Sequence, residues 1–183
     1  MITIVAALAS NRVLAKDGKL PWNLPKELKN FYNFVKKTLI ISGYNTFKAM
    51  QGPAKGGAAQ WVLTRKHASV EALSLGTKGA NRSRLTALIA AQKLKIFKSS
   101  AELLNAAKAA SSKGLDLSVI GGEAVFKLFL PVADQLKLTV IAKECAGDVH
   151  FPAIDLATWR LERLTSHQEG KIRYQQTLWR RDA

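Results

Sequence analysis

Short apolar runs rich in β-branched residues recur along this chain at 2–8, 38–42, 61–64, 96–97, 117–120 and 137–142, with helix-like stretches between them. That alternation predicts an α/β fold around a mainly parallel central sheet. The runs are nearly continuous, so their strands are expected to be buried on both faces, with helices covering both sides of the sheet. After Pro152 the pattern changes to two longer, more polar runs, 159–166 and 174–180, separated by Glu169-Gly170-Lys171. These predict a C-terminal antiparallel hairpin. No repeat and no Gly/Ser- or Pro-rich linker divides the chain, and residues 1–183 are read as a single domain with a surface insertion around 69–95.

Helix boundaries are marked by polar caps and breakers. Ser99 with Glu102 three residues on forms a capping-box pattern, and Gly114 supplies a stop. Gly121-Gly122 opens a short helix over 123–130 that Pro131 cannot continue. Within the insertion a basic, Gly-containing turn leads into a helix through Leu85, Leu88 and Ile89, read as packing on its own domain.

The stretch from Pro21 to Val35 carries the first chemistry. Pro25 suits a first helical turn, and Leu24, Leu28, Phe31 and Val35 follow at spacings of three and four. Glu27 falls on that apolar face, while Lys26, Lys29, Lys36 and Lys37 occupy the other. A carboxylate so placed is desolvated, which raises its pKa and demands a buried polar partner. Periodicity also allows Glu27 to lie at the edge of the stripe and reach solvent. Trp22 and the two flanking prolines stiffen the approach, which suits the wall of a pocket for a flat heteroaromatic ligand. A carboxylate there could accept from two adjacent N–H groups of an amino-pyrimidine edge.

Three strand-to-helix junctions have phosphate-sized chemistry: Ser42-Gly43-Tyr44-Asn45-Thr46, Leu63-Thr64-Arg65-Lys66 and Val119-Ile120-Gly121-Gly122-Glu123. Free N–H groups at helix starts, hydroxyls and cations all bind anions. Each alone is compatible with an ordinary turn and cap; together they point to a dinucleotide. Gly-x-Gly-x-x-Gly is absent. Arg65 and Lys66 favour a phosphorylated ribose, hence NADPH over NADH.

Composition narrows the classes. The chain has 28 Lys+Arg against 13 Asp+Glu, a formal net charge of +15, enough to attract polyanions at low salt. The basic residues are dispersed, so nucleic acid is expected only as a non-specific electrostatic partner. Cys145 is the single cysteine, which excludes an intramolecular disulfide and a thiolate-rich metal site. His67, His150 and His167 show no ligand spacing, and no metal is expected. The apolar run at 2–9 is short and lacks a basic lead, so no signal peptide or membrane span is expected; the lone cysteine fits a reducing, cytoplasmic setting, and a monomer is expected.

Taken in order, Ile4-Val5-Ala6-Ala7, Leu20-Pro21-Trp22-Asn23-Leu24-Pro25, Glu27, Phe31, Gly43-x-x-Thr46, Val119-Ile120-Gly121-Gly122 and Gly147-Asp148-Val149-His150-Phe151-Pro152 resemble the dihydrofolate reductase family across nearly the whole chain. The Pro-Trp-Asn-Leu-Pro block followed by an acid is the specific part. The resemblance implies a single-domain three-layer fold and NADPH-dependent reduction of 7,8-dihydrofolate to 5,6,7,8-tetrahydrofolate, with hydride delivered to C6 and a proton to N5. It implies catalytic roles for Glu27, Trp22 and Thr139, the last hydrogen-bonding the acid, and a pterin pocket formed by Val5, Ala6, Leu28, Phe31 and Ile120. The cofactor would lie along Ala7, Leu20, Gly43, Tyr44, Asn45 and Thr46, then Leu63, Thr64, Arg65 and Lys66, then Gly121, Gly122, Glu123, Ala124, Val125 and Phe126. Residues 10–20 resemble a lid loop latched by Asp148.

Two departures stand out. The turn before the third strand reads Gly56-Gly57-Ala58-Ala59-Gln60 where the family carries an arginine for the folate tail, leaving Lys55 as the nearest cation. Tyr44 stands where a phosphate-binding arginine is common. The missing arginine motivates an alternative, a same-fold reductase of another pterin or of a riboflavin-pathway pyrimidine. A third reading, from the net charge, is a non-enzymatic basic module binding nucleic acid.

Overall fold

The computed structural model describes residues 1–65 and 77–182. Its main sheet has eight strands: β1 (Ile2–Ala9), β3 (Leu39–Gly43), β4 (Ala59–Leu63), β5 (Leu94–Phe97), β6 (Leu117–Val119), β7 (Gln135–Ile141), β9 (Trp159–Glu169) and β10 (Ile172–Arg181). They lie in the order β5-β4-β3-β6-β1-β7-β10-β9. Pairings from β5 through β7 are parallel, and β10 joins β7 and β9 antiparallel, so the predicted mixed sheet and hairpin are both present. A separate pair, β2 (Val13–Ala15) with β8 (Val149–His150), was not foreseen; its strands are too short for periodicity to register.

Five helices connect the strands among the described residues: α1 (Pro25–Val35), α2 (Tyr44–Ala49), α3 (Gly79–Ala90), α4 (Ser100–Ser112) and α5 (Glu123–Phe129). α4 starts as its capping box dictates, with Ser99 Oγ accepting from the Glu102 amide at 3.4 Å. Successive residues of β1 serve opposite layers. Ile2, Ile4, Ala6 and Leu8 pack with Leu103 and Ala107 of α4 and with Val125, Phe126 and Phe129 of α5. Val5 packs on the other face with Val35 of α1, Ile40 and Ile120. On that face a further cluster joins Phe47, Val62 and Leu85, so α3 rests on its own sheet, as read from the sequence. Of the stretch around 69–95, residues 66–76 lie outside those described, and the remainder forms α3 and the turn into β5.

One register detail opens the site. β1 pairs with β6 only as far as Ile4 and Val119, but with β7 as far as Ala9 and Ile141. Beyond Ile4 the ladder between these two central strands ends, and Val5 and Ile120 lie at their carboxyl ends, the region where open α/β sheets bind ligands.

Candidate active site

Glu27 lies in the first turn of α1 and is only 6% exposed. Its Oε1 accepts from Thr139 Oγ1 of β7 at 2.8 Å, across 112 residues of sequence. This is the buried polar partner that the sequence required. Burial pushes the Glu27 carboxyl above the ordinary carboxylate range; the Thr139 hydrogen bond pulls it back, the Glu169 carboxylate adds to the rise, and Lys137 opposes it. Lys137 is itself half-buried, with its ammonium 4.9 Å from the centre of the Phe34 ring, and burial lowers its pKa.

The predicted apolar stripe of α1 is corrected in one position. Leu24, Glu27 and Val35 are buried, whereas Leu28 is 40% exposed. The buried face is therefore turned toward Glu27, and Leu28 stands at the open side of the helix. Phe31 is half-buried and meets Tyr32 edge-on at 5.2 Å. Trp22 packs beside Leu24, Ile141 and Tyr174. Its indole Nε1 is buried with no hydrogen-bond partner among the described residues. A buried donor of this kind is costly unless a ligand or bound water accepts from it, so the wall beside Glu27 suits a polar heterocycle.

Val5, Ala7 and Ile120 belong to this side of the sheet, and Ile120 is held at the strand end by donating its N–H to the Ile41 carbonyl at 2.9 Å. Ala6 does not. Its side chain sits in the opposite layer beneath α4 and α5, because neighbouring strand residues point to opposite faces. For the same reason of packing, Val125 and Phe126 are core residues at 2% exposure, and only their backbone can reach a ligand.

The first and third strand-end junctions converge. The Gly43 N–H donates to the Gly121 carbonyl at 2.6 Å, and the Gly121-Gly122 peptide is cis. A Cβ added at Gly121 would stand 3.0 Å from the Phe126 ring and 3.6 Å from Thr46 Oγ1, and its φ of +114° disfavours any other residue. A Cβ at Gly43 would meet Val125 at 3.3 Å. Thr46, Gly43 and the glycine pair thus form a close-set cradle of backbone and hydroxyl that suits a phosphate group. Asn45 and Ala124 are exposed beside it, and Tyr44 is half-buried in the Phe47 cluster. Glu123 is tied to Lys127 at 2.6 Å, which holds its carboxyl below the usual range, and it accepts from the His150 amide at 3.5 Å. The second junction lies two strands from β6, with Leu63 half-buried, Thr64 buried and Arg65 exposed. Lys66 falls outside the described residues.

The 10–20 segment is fastened at two points. Asn11 and Cys145 exchange side-chain and backbone hydrogen bonds at 2.9 and 3.3 Å, and the Asp17 amide donates to Asp148 Oδ1 at 3.2 Å. Leu20 beyond it is exposed. Further along α1, Lys55 Nζ lies 5.7 Å from the centre of the Tyr32 ring. The Arg84 guanidinium lies near enough to oppose the rise that burial imposes on the Tyr32 phenol. Arg84 is braced by Asn81 at 2.9 Å, and Asn81 by the Met50 carbonyl at 3.2 Å. Sequence reasoning missed Arg84, Lys137 and Glu169. None sits in a recognisable motif, and each gains its place through a tertiary contact.

The dihydrofolate reductase sequence profile matches residues 1–181, and the chain belongs to that family. It is 28% identical over 175 residues to dihydrofolate reductase type 3 of Salmonella typhimurium, covering 95% of this chain and 93% of that protein. It is 30% identical over 183 residues to dihydrofolate reductase 1 of Haloarcula marismortui, covering 96% and 91%. A solved structure of the Enterococcus faecalis dihydrofolate reductase, complexed with NADP(H) and RAB-propyl, superimposes with a TM-score of 0.77 at 23% identity over 100% of this chain and 97% of that one. Among the described residues no helix is long and apolar enough to cross a membrane, and no cluster of His, Cys, Asp and Glu could hold a metal ion.

Proposed function

We propose that this chain reduces 7,8-dihydrofolate to 5,6,7,8-tetrahydrofolate with NADPH. The observation that carries the reading is the buried Glu27 carboxylate, hydrogen-bonded to Thr139 beside the unpartnered Trp22 indole. Bound NADPH supplies the hydride. Gly43, Thr46, Gly121 and Gly122 hold its phosphate backbone, and Thr64 with Arg65 takes the 2′-phosphate. Glu27 accepts from the amino-pyrimidine edge of the pterin and orients the ring. Its pKa, raised by burial, makes it a better proton source than an exposed carboxylate, so that it supports protonation at N5, relayed by a solvent molecule held at Trp22 Nε1. The carbonyls of Val5 and Ile120 line the site, and Asp148 latches the 10–20 segment over it. The protein acts as a cytoplasmic monomer, and its high charge binds polyanions only non-specifically.

The stretch Gly56-Gly57-Ala58-Ala59 favours a second reading, a pterin without the glutamate tail. Against it, Lys55 and Arg84 flank Tyr32 on the side of α1 away from its first turn and could receive the tail carboxylate. NADPH consumption with dihydrofolate tests the proposal directly, and no turnover would sink it. Equal KM values for dihydrofolate and a tail-less dihydropterin would favour the second reading.

A further inference from the structure

α1 begins without a cap of its own. Leu24 occupies the N-cap position and offers no side-chain acceptor, and Pro25 carries no N–H. Lys26 therefore presents the first free amide of the helix. That amide donates to both carboxylate oxygens of Glu169, at 3.0 and 3.2 Å, from a residue 143 positions later in the chain. Glu169 ends β9 at the turn of the C-terminal hairpin. The same turn is seated by packing. Tyr174 is buried with Leu24 and Ile141, Trp22 and Ile172 pack against them, and the His167 ring stacks on Tyr174 at 5.2 Å.

We propose that Glu169 is a positioning residue for the acid: it caps the first turn of α1 from the hairpin, fixes Glu27 toward Thr139, and sets a second negative charge beside it. An N-terminal carboxylate is stabilised by the exposed amides and the helix dipole, so the cap has a favourable energy of its own. The next residue along is Glu27, and a cap on Lys26 leaves the first turn little freedom to carry the carboxylate away from its 2.8 Å partner. The groups facing Glu27 are Thr139 and Lys137 from β7, the Tyr174 phenol from β10, and Glu169 from the hairpin turn. Arg163 of β9 acts on Lys137. Burial pushes the Tyr174 phenol up, and the Glu169 and Glu27 carboxylates add to the rise. With Glu169 charged, Glu27 holds its proton to higher pH than it would beside a neutral residue at that position, although the Thr139 hydrogen bond pulls the other way more strongly.

The test uses the full chain carrying 13C-labelled glutamate carboxyls, with Glu27→Gln to assign the signal. Glu169→Gln keeps an amide acceptor but loses the charge. Its thermal unfolding should stay near that of the native protein while the Glu27 titration moves to lower pH. Glu169→Ala loses both, so the Lys26 amide should exchange about fivefold faster while the Leu103 amide in the core is unchanged. Its kcat for dihydrofolate should fall severalfold with the NADPH KM unaltered. A Glu27 titration that does not move in Glu169→Gln overturns the electrostatic part, and native exchange at Lys26 in Glu169→Ala overturns the cap. The role of Glu169 in turnover rests on the proposed reduction, but titration and exchange are read without turnover. A chain that reduced no dihydrofolate would still decide the inference.

Discussion

The two halves of the proposed site are built to hold their ligands by different means. Around Glu27 the work falls to side-chain identity: one carboxylate, one hydroxyl at 2.8 Å and one indole donor, beside apolar residues from the approach to α1, β7 and the hairpin. At the strand ends of β3 and β6 it falls to the absence of side chains, with Gly43, Gly121 and Gly122 drawn close enough for backbone contact and Thr46 above them. The acid half should therefore respond to changes that preserve shape but alter charge, and the cradle to changes that add volume but no charge.

The largest difference should come from Glu27→Gln, which preserves shape and removes the proton-carrying group. A loss of roughly 10²- to 10⁴-fold in kcat near neutral pH is expected in steady-state dihydrofolate reduction, with little change in NADPH KM. Next, Gly121→Ala forces an unfavourable φ and a contact with the Phe126 ring, at a cost of about 1–3 kcal/mol. Weaker NADPH binding by at least roughly tenfold is expected in a fluorescence titration, with the pterin half spared. Arg65→Ala, which removes one exposed cation, should raise the NADPH KM by about tenfold and leave the NADH KM unchanged. A smaller effect is expected for Thr139→Val. Losing the hydrogen bond that lowers the Glu27 pKa should move the pH dependence of hydride transfer to higher pH.

Stability supplies a further contrast. The folded-state pKa of Glu27 is raised, so the folded chain binds more protons than the unfolded one between the two values. Its favourable contribution is present at low pH and is lost as pH rises through the folded pKa. Glu27→Gln, with no charge to bury, should thus have a higher Tm than the native protein near neutral pH, and the gap should close on acidification. Active-site groups commonly trade stability for function in this way.

The chain shows some of these features plainly and hides others. The central strands were legible because burial on both faces makes their runs continuous, and α4 because Ser99 and Glu102 write its start. Glu27 was legible as an acid on an apolar face, although placing Leu28 on the same stripe set the buried face slightly wrong. Ala6 shows the limit of a motif: the block Val5-Ala6-Ala7 identifies the strand, but pleating sends its middle residue to the far layer. Glu169, Arg84 and Lys137 were illegible because a contact spanning tens of residues leaves no local spacing. The one available hint was negative, a helix beginning Leu24-Pro25 with no residue able to cap it.

The measurement that tests the central claim most directly is the native to Glu27→Gln ratio of dihydrofolate reduction rates, taken near neutral pH and again at mildly acidic pH. If the buried acid supports protonation at N5, the ratio should be large near neutrality and shrink on acidification, as an already protonated substrate bypasses the missing group. A ratio near one, or one that does not change with pH, would contradict the role assigned to Glu27.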